Sequence, residues 1–472
     1  MLLRYVKREL RSLTVNDREK FLDAASKMWI YNETEGKEIF GGNFTSIHTF
    51  VREHAIASGD IMCDQFHEGS GFLTHHLALT NAFEASMRAI DASVTLPYWD
   101  FTVEGQQIEN LAEMPSYFLK ITPVFSNTWF GEVDNNHVIN SRWAHMPMPI
   151  VTDEDGRLDT PHNSYGYIRS YWNNNNAAEI TRHLFDACGT EPTYKTIPTC
   201  QQHFDVLNLN TLGDFQLNCA GDGHGPMHVQ FGGIFGGCIS AIKSFTAKWE
   251  LYLDANLTTI EIEATGQNAV TFIKKWGATG QRRAMFNKAI VGEYFHIYRS
   301  LWRSHMCAID SSPALLVCPD NCDRITTPFE ECTCTVDTLQ SGEMHWYNLF
   351  PCVLNSASNQ KYFNLTMNTS FMSELVTVLA TSSVKEGEML ESASPADILF
   401  WLIHPVIERL LQAKRLTTLS AMGGVEFSKW VNVAKSSWRA SSYYDLKEHQ
   451  NAWHKSAYTC KVQITLNERL CR

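Results

Sequence analysis

Residues 395–415 read PADILFWLIHPVIERLLQAKR. The segment has the pattern of a helix, nearly all apolar along one side, with a kink expected at Pro405. One polar ring, that of His404, stands among Leu399, Phe400, Leu402 and Ile407. Burying an imidazole in such company is costly unless it finds a partner. A metal ion is one such partner, and a backbone carbonyl or an acid such as Asp397 is the alternative.

Further helices are predicted upstream. FTSIHTFVREHAIASG at 44–59 and FLTHHLALTNAFEASMRAI at 72–90 both read as helical, the second with apolar residues at Leu73, Leu77, Ala78, Phe83, Met87 and Ile90. A basic arm precedes a helix capped within Thr14 to Asp17, and VTLPYWDFT follows the 72–90 helix as an extended aromatic segment. Residues 103–222 are rich in Asn, Pro, Gly and Thr and read as long loops with a few short helices. The alternation in WELYL and TIEIEA, between 245 and 264, suggests a strand pair, residues 281–305 suggest a helix, and 307–352 is rich in Cys.

Three groups of histidines carry potential chemistry. His67 lies nine residues before His76, and His54 closes FVREH at the end of the preceding helix. Three neutral imidazoles on adjacent segments can hold a copper, zinc or iron ion and leave coordination positions open. His224 and His228 are four apart in HGPMHVQFGG, which puts both rings on one face of a helical turn. His404 completes the set. Any one of these alone is more often a surface or core histidine than a ligand.

The order of these motifs resembles a known family. FVREH, then HEGSGFLTHH, Phe83-Glu84 and LPYWDF (Leu96 to Phe101) look like the first copper site of tyrosinases, catechol oxidases and molluscan hemocyanins. HGPMHVQFGG and DILFWLIHPVIERL resemble the two halves of their second site. The resemblance implies a mainly α fold: a four-helix-bundle dicopper core, with helices near 44–58, 72–90, 224–235 and 396–414, long loops and a Cys-rich insertion with minor β. It implies His54, His67 and His76 as ligands of copper A, and His224, His228 and His404 as ligands of copper B, with O2 as co-substrate. His48 and His75 are expected outside both sets. Asp397 is expected to accept a hydrogen bond from a ligand N–H, and Glu408 and Arg409 to pair with each other beyond His404.

Departures from the family's pattern shape the expected activity. Ile403 stands where a His often precedes the last ligand, and His75 and Leu77 flank His76 in place of Trp and Arg. Gln65 occupies the usual place of a cysteine cross-linked to the second ligand, and the nearest cysteine is Cys63. Gly225 stands where monophenol hydroxylases often carry an Asn that orients a water as base. The resemblance therefore implies oxidation of o-diphenols in preference to monophenols, with Gly225 and Asp397 as the residues that bear on catalysis. His203 and Asp222 are upstream candidates for a substitute base. The spacing of 176 positions from His228 to His404 exceeds the family's usual spacing. The expected organisation is a core of 1–235 and 394–472 with an insertion at 236–393, placed as a lid or satellite.

Composition narrows the remaining classes. The chain has 472 residues, 44% hydrophobic and 19% charged, with formal charge −12. That balance supports a sizeable core and argues against nucleic acid or an anionic membrane as partner. No apolar run reaches the ~20 residues that span a bilayer. Thirteen cysteines, and sequons at Asn32, Asn43, Asn256, Asn364 and Asn368, favour a secreted or secretory-lumen protein with disulfides and glycans. The Cys between 307 and 352 are expected to pair mainly among themselves, with a four-Cys zinc cluster as competitor. The substrate class is a small phenol or a peptidyl tyrosine. The rivals are a hemocyanin-like O2 carrier without turnover, a zinc hydrolase, which would normally include a carboxylate ligand, and a metal-free binding protein.

Overall fold

The computed structural model describes residues 5–60, 64–67, 71–151, 160–192, 196–251, 298–299, 301–302, 316–336, 370–371, 374, 377–378 and 381–421. The architecture is mainly α, as the sequence implied. Helix α1 (Val15–Ile30) opens on Thr14, whose hydroxyl accepts from Asp17 N, and α2 (Glu33–Phe40) opens on Asn32, whose side chain accepts from Glu35 N. Each cap satisfies an N–H that the first helical turn leaves free. Helices α3 (Ile47–Ser58) and α4 (Gly71–Ile90) follow, then α5 (Thr102–Leu111) and the single turn α6 (Phe118–Ile121).

Between α6 and α7 (Cys200–Asn208) the described residues form turns, bridges and one short pair, β1 (Val133–Asp134) with β2 (His137–Val138). Helix α8 (Leu212–Ala220) then leads to α9 (Gly225–Gly232), β3 (Ile234–Gly236) and α10 (Cys238–Lys248). The last described helix, α11 (Phe400–Ala421), runs on through Pro405.

Three of these helices meet through aromatic rings. Phe83 of α4 stacks on Trp401 of α11 at 3.8 Å between centroids, and Phe50 of α3 lies edge-on to both at 5.8 and 5.4 Å. Trp29 of α1 adds a further edge against Phe83 at 6.2 Å. Its indole N–H donates to Ala396 O, and that of Trp401 donates to Pro395 O, so both buried rings satisfy their polar atom.

The N-terminal arm also closes on α4 and α11. Lys7 reaches Glu408 at 2.5 Å and Glu84 at 3.3 Å. Arg409 instead reaches Asp100 at 2.5 Å. Glu408 and Arg409 therefore do not pair with each other, because neighbouring helical residues point roughly 100° apart and each meets a different segment.

A buried strap, residues 384–397, threads between the helices. It begins as β6 (Val384–Glu386), antiparallel to β3 with Ile234 opposite Glu386, and continues through 3-10 turns at Glu388–Leu390 and Ser394–Ala396. Helix α9 packs on the first turn and α3 on the second, while α4 and α11 pack directly along one another.

Of WELYL, the described Trp249, Glu250 and Leu251 are turn and helix rather than the expected strand. Residues 238–248 are helix, and Glu250 and Leu251 are helical too. Buried Cys238, Ile242, Phe245 and Thr246 supply the helical spacing that overrides the local alternation. TIEIEA lies outside the described residues. Of 281–305, the described Tyr298, Arg299, Leu301 and Trp302 are helical.

In the Cys-rich segment, β4 (Leu316–Val317) pairs with β5 (Thr335–Val336), and disulfides join Cys318 to Cys334 and Cys322 to Cys332. Cys238 pairs outside the segment, with Cys188. Cys63, Cys307 and Cys352 lie outside the described residues, and so do the sequons at Asn256, Asn364 and Asn368.

Trp401 is fully buried where α3, α4 and α11 meet. Trp401→Ala is expected to destabilise the protein by about 3–5 kcal/mol, from lost burial and the cavity left behind, as read by denaturant unfolding.

Candidate metal centre

Six imidazoles gather where α3, α4, α9 and α11 approach. His54, near the end of α3, and His76, in the second turn of α4, are both buried. His67 joins them from the short segment before α4. That segment folds close over the start of α4, and a Cβ at Gly71 would lie 2.1 Å from Gln65 O, so only glycine leaves room. His224 is the N-cap of α9, His228 sits one turn further on, and His404 projects from α11.

The potential ligand atoms of His54, His67 and His76 lie within 4.8 Å of one another, and those of His224, His228 and His404 do the same. The two groups adjoin. The rings of His76 and His404, one from each, stack at 4.5 Å with 7° between planes. His48 and His75 fall outside both. The Nδ1 of His75 bonds Gln65 O at 2.8 Å, and the Nε2 of His48 lies 3.4 Å from Ile150 O.

Hydrogen bonds decide which nitrogen faces inward. The Nδ1 atoms of His76, His224 and His404 sit 2.8 Å from Phe72 O, Cys219 O and Phe400 O. Those of His54 and His228 lie 2.6 and 2.5 Å from Ser392 O and Met389 O. The Nδ1 of His67 is 3.0 Å from both carboxylate oxygens of Asp64, which also accepts from the backbone N–H of Phe66 and His67.

Carbonyl and carboxylate oxygens only accept, so each Nδ1 carries the proton and each Nε2 keeps its lone pair. The Nε2 atoms of His54, His76, His224, His228 and His404 are buried and have no hydrogen-bond partner among the described residues. Five buried acceptors without donors are a costly arrangement that a cation would relieve. A donor set of imidazoles alone, without a carboxylate, suits copper.

Electrostatics keep these rings neutral, the form a metal needs. Burial is the main cause and the neighbouring imidazoles add to it. His54 is pushed down to about 3 and His228 to about 4, while His76, His224 and His404 fall well below their usual 6.5. His67 and His228 are partly exposed, His67 with 32% of its side chain open, although the Nε2 of His228 is buried. Around the others, Phe400 lies 3.8 Å from the ring of His404, Phe66 lies 4.4 Å from that of His54, and Phe72 lies between His76 and His224 at 4.9 and 5.1 Å.

Several expectations are corrected. Asp397 accepts from none of the six clustered histidines. Its carboxylate takes both arms of the buried Arg182 guanidinium, at 2.6 and 2.8 Å, and the N–H of Leu399, which fastens the start of α11. An unpaired carboxylate could have turned to a ligand ring, but the planar fork of Arg182 meets both of its oxygens. His203 is not placed as a free base either. Its Nε2 lies 2.8 Å from Gly223 O, in the loop entering His224. Asp222, beside it, is exposed. Gly225 is the first residue of α9, directly after His224.

Asp64 is the site residue that sequence reading missed and could have found, since an acid three residues before a histidine can bridge its backbone and its ring. The carbonyls of Met389 and Ser392 left no such sign.

The depressed imidazoles set the acid limit. The unfolded chain, with histidines near 6.5, takes up protons that the buried rings refuse. Stability of the metal-free protein is therefore expected to fall as pH drops below about 6.5, and to keep falling toward the folded values near 3–4. Protons also compete for Nε2, so retained metal should decline over the same window. Unfolding and metal content measured from pH 8 to 4 check both.

Residues 42–245 match the family model for the common central domain of tyrosinase, a span that contains five of the six histidines. No curated protein matches the chain. The match over residues 42–245 is consistent with the tyrosinase family of type-3 copper proteins.

Proposed function

We propose that the protein is an O2-dependent phenol oxidase in which His54, His67 and His76 hold one copper ion and His224, His228 and His404 hold the other. The observation that carries this reading is the convergence of two all-histidine triads, five of whose six Nε2 atoms are buried with no partner among the described residues. When bound, the two copper ions would let O2 accept electrons from the substrate, so that two o-diphenols and one O2 give two o-quinones and two waters.

The protein's own residues contribute position and exclusion. Backbone carbonyls and Asp64 hold each imidazole by Nδ1, which limits reorganisation at the site. Phe66, Phe72 and Phe400 wall the rings from water, and His67 marks the side on which a phenol ring can approach.

Gly225 offers no side chain to orient a base for a monophenol, which supports a preference for o-diphenols. The substrate is a small phenol or an accessible peptidyl tyrosine. Three disulfides and exposed sequons at Asn32 and Asn43 support passage through the secretory route and glycosylation there. The antiparallel pairing of β3 with β6 and the burial of the residues after it support shortening the insertion expected at 236–393, so that it ends before β6.

Full-length protein is expected to bind two copper ions per chain by mass spectrometry and to consume O2 with a catechol. His54→Ala and His404→Ala should each lose at least one copper and all measurable uptake. Reversible O2 binding without quinone formation would instead indicate a carrier.

Gly225→Asn should raise the ratio of monophenol to diphenol turnover. A Cβ there would lie 3.0 Å from Ala220 O, so the first turn of α9 must give by a few tenths of an ångström. An unsubstituted protein that turns over monophenols as fast as catechols, without a lag, would overturn the preference.

A further inference from the structure

Within each triad, two imidazoles are oriented by neighbours in sequence and one by a distant residue. His67, His76, His224 and His404 bond acceptors three to five positions away. His54 and His228 bond Ser392 O and Met389 O, which lie 338 and 161 positions away. Both distant acceptors belong to the strap, three residues apart, so one segment orients a ligand of each metal.

The strap is itself held from outside the site. Glu388, immediately before Met389, takes the buried guanidinium of Arg169, with Nε at 2.7 Å and Nη2 at 2.6 Å. Its other oxygen accepts from the backbone N–H and the hydroxyl of Thr181. Glu391, immediately before Ser392, accepts from the N–H of Ser170 at 2.5 Å. The remaining donors of Arg169 go to the carbonyls of Asn175, Ala177 and Glu179, so its fork is fully used and has one place to sit.

We propose that Arg169 and the backbone N–H of Ser170 are positioning residues for both metal sites. By clamping Glu388 and Glu391 they fix the carbonyls of Met389 and Ser392, and through them the rings of His228 and His54. This rests on the copper reading above and adds to it the element that sets both sites together.

The double variant R169M/E388L removes both buried charges at once, so neither is left uncompensated. E391L removes the acceptor of Ser170 N–H, and E391Q retains one. Copper-loaded full-length proteins are titrated with a copper chelator while acylation of each histidine is mapped by mass spectrometry. Emptied triads are recognised because an Nε2 without metal is free to react.

R169M/E388L is expected to release the copper of His224, His228 and His404 roughly 10–100-fold more readily, and E391L that of His54, His67 and His76. E391Q should retain both coppers as the unsubstituted protein does. Unchanged retention in R169M/E388L and E391L, equal loss from both triads in each, or loss in E391Q matching that in E391L would overturn the proposal.

Should the double variant not fold, R169K keeps the charge without the fork. It is expected to weaken the His228 triad several-fold, and normal retention there overturns the proposal as well. An unsubstituted protein that binds no copper would remove the reading beneath it instead.

Discussion

The constraint on which the rest of the structure depends is the burial of imidazoles with their Nε2 lone pairs turned toward one another. An unsatisfied buried polar atom costs about 1–3 kcal/mol, and five of them gather here. Together these approach the whole net stability of an ordinary domain, about 5–15 kcal/mol. The surrounding framework is built to bear that load. Phe83, Trp401 and Phe50 lock three helices together, and the Arg182–Asp397 pair fixes the start of the helix bearing His404. Folding and metal binding are consequently linked, because a cation that accepts those lone pairs stabilises the folded chain alone.

The same constraint explains why acceptors, rather than charges, surround the rings. A carboxylate at every Nδ1 would stabilise imidazolium and invite a proton to the nitrogen the metal needs. Five of the six rings bond carbonyls, and burial then drives them toward the neutral form. His67, 32% exposed, is the one paired with an acid, Asp64. Where water reaches the site, charge on the partner is screened and costs less.

The parts farther from the histidines connect back to them through backbone. The disulfide-joined ribbon at 316–336 docks on the loop that carries Arg169: Cys322 N donates to Ser164 O, and Arg324 Nε donates to Tyr165 O. That loop holds Glu388 and Glu391, and the strap bearing them meets one ligand of each triad. A segment that reads as an appendage in sequence is thus joined to the imidazoles through that loop and the strap.

The six histidines and the helices that carry them were legible in the sequence because both signals are local. Apolar spacing marks a helix within one or two turns, as at 72–90 and 395–415, and a buried ring among Leu399, Leu402 and Ile407 already demanded a partner. Where two local signals competed, at 238–251, the helical spacing of buried residues prevailed over a short alternation. Which nitrogen of each ring faces inward was decided only in three dimensions. So was the assignment of Asp397 to Arg182, and of Glu408 and Arg409 to Lys7 and Asp100. Every residue has a carbonyl, so nothing in the letters at 389 and 392 sets those two apart, and their partners lie 161 and 338 positions away. The sequence determined which side chains could ligate, since that is a property of the residue, whereas their orientation depends on backbone atoms that only the folded chain brings together.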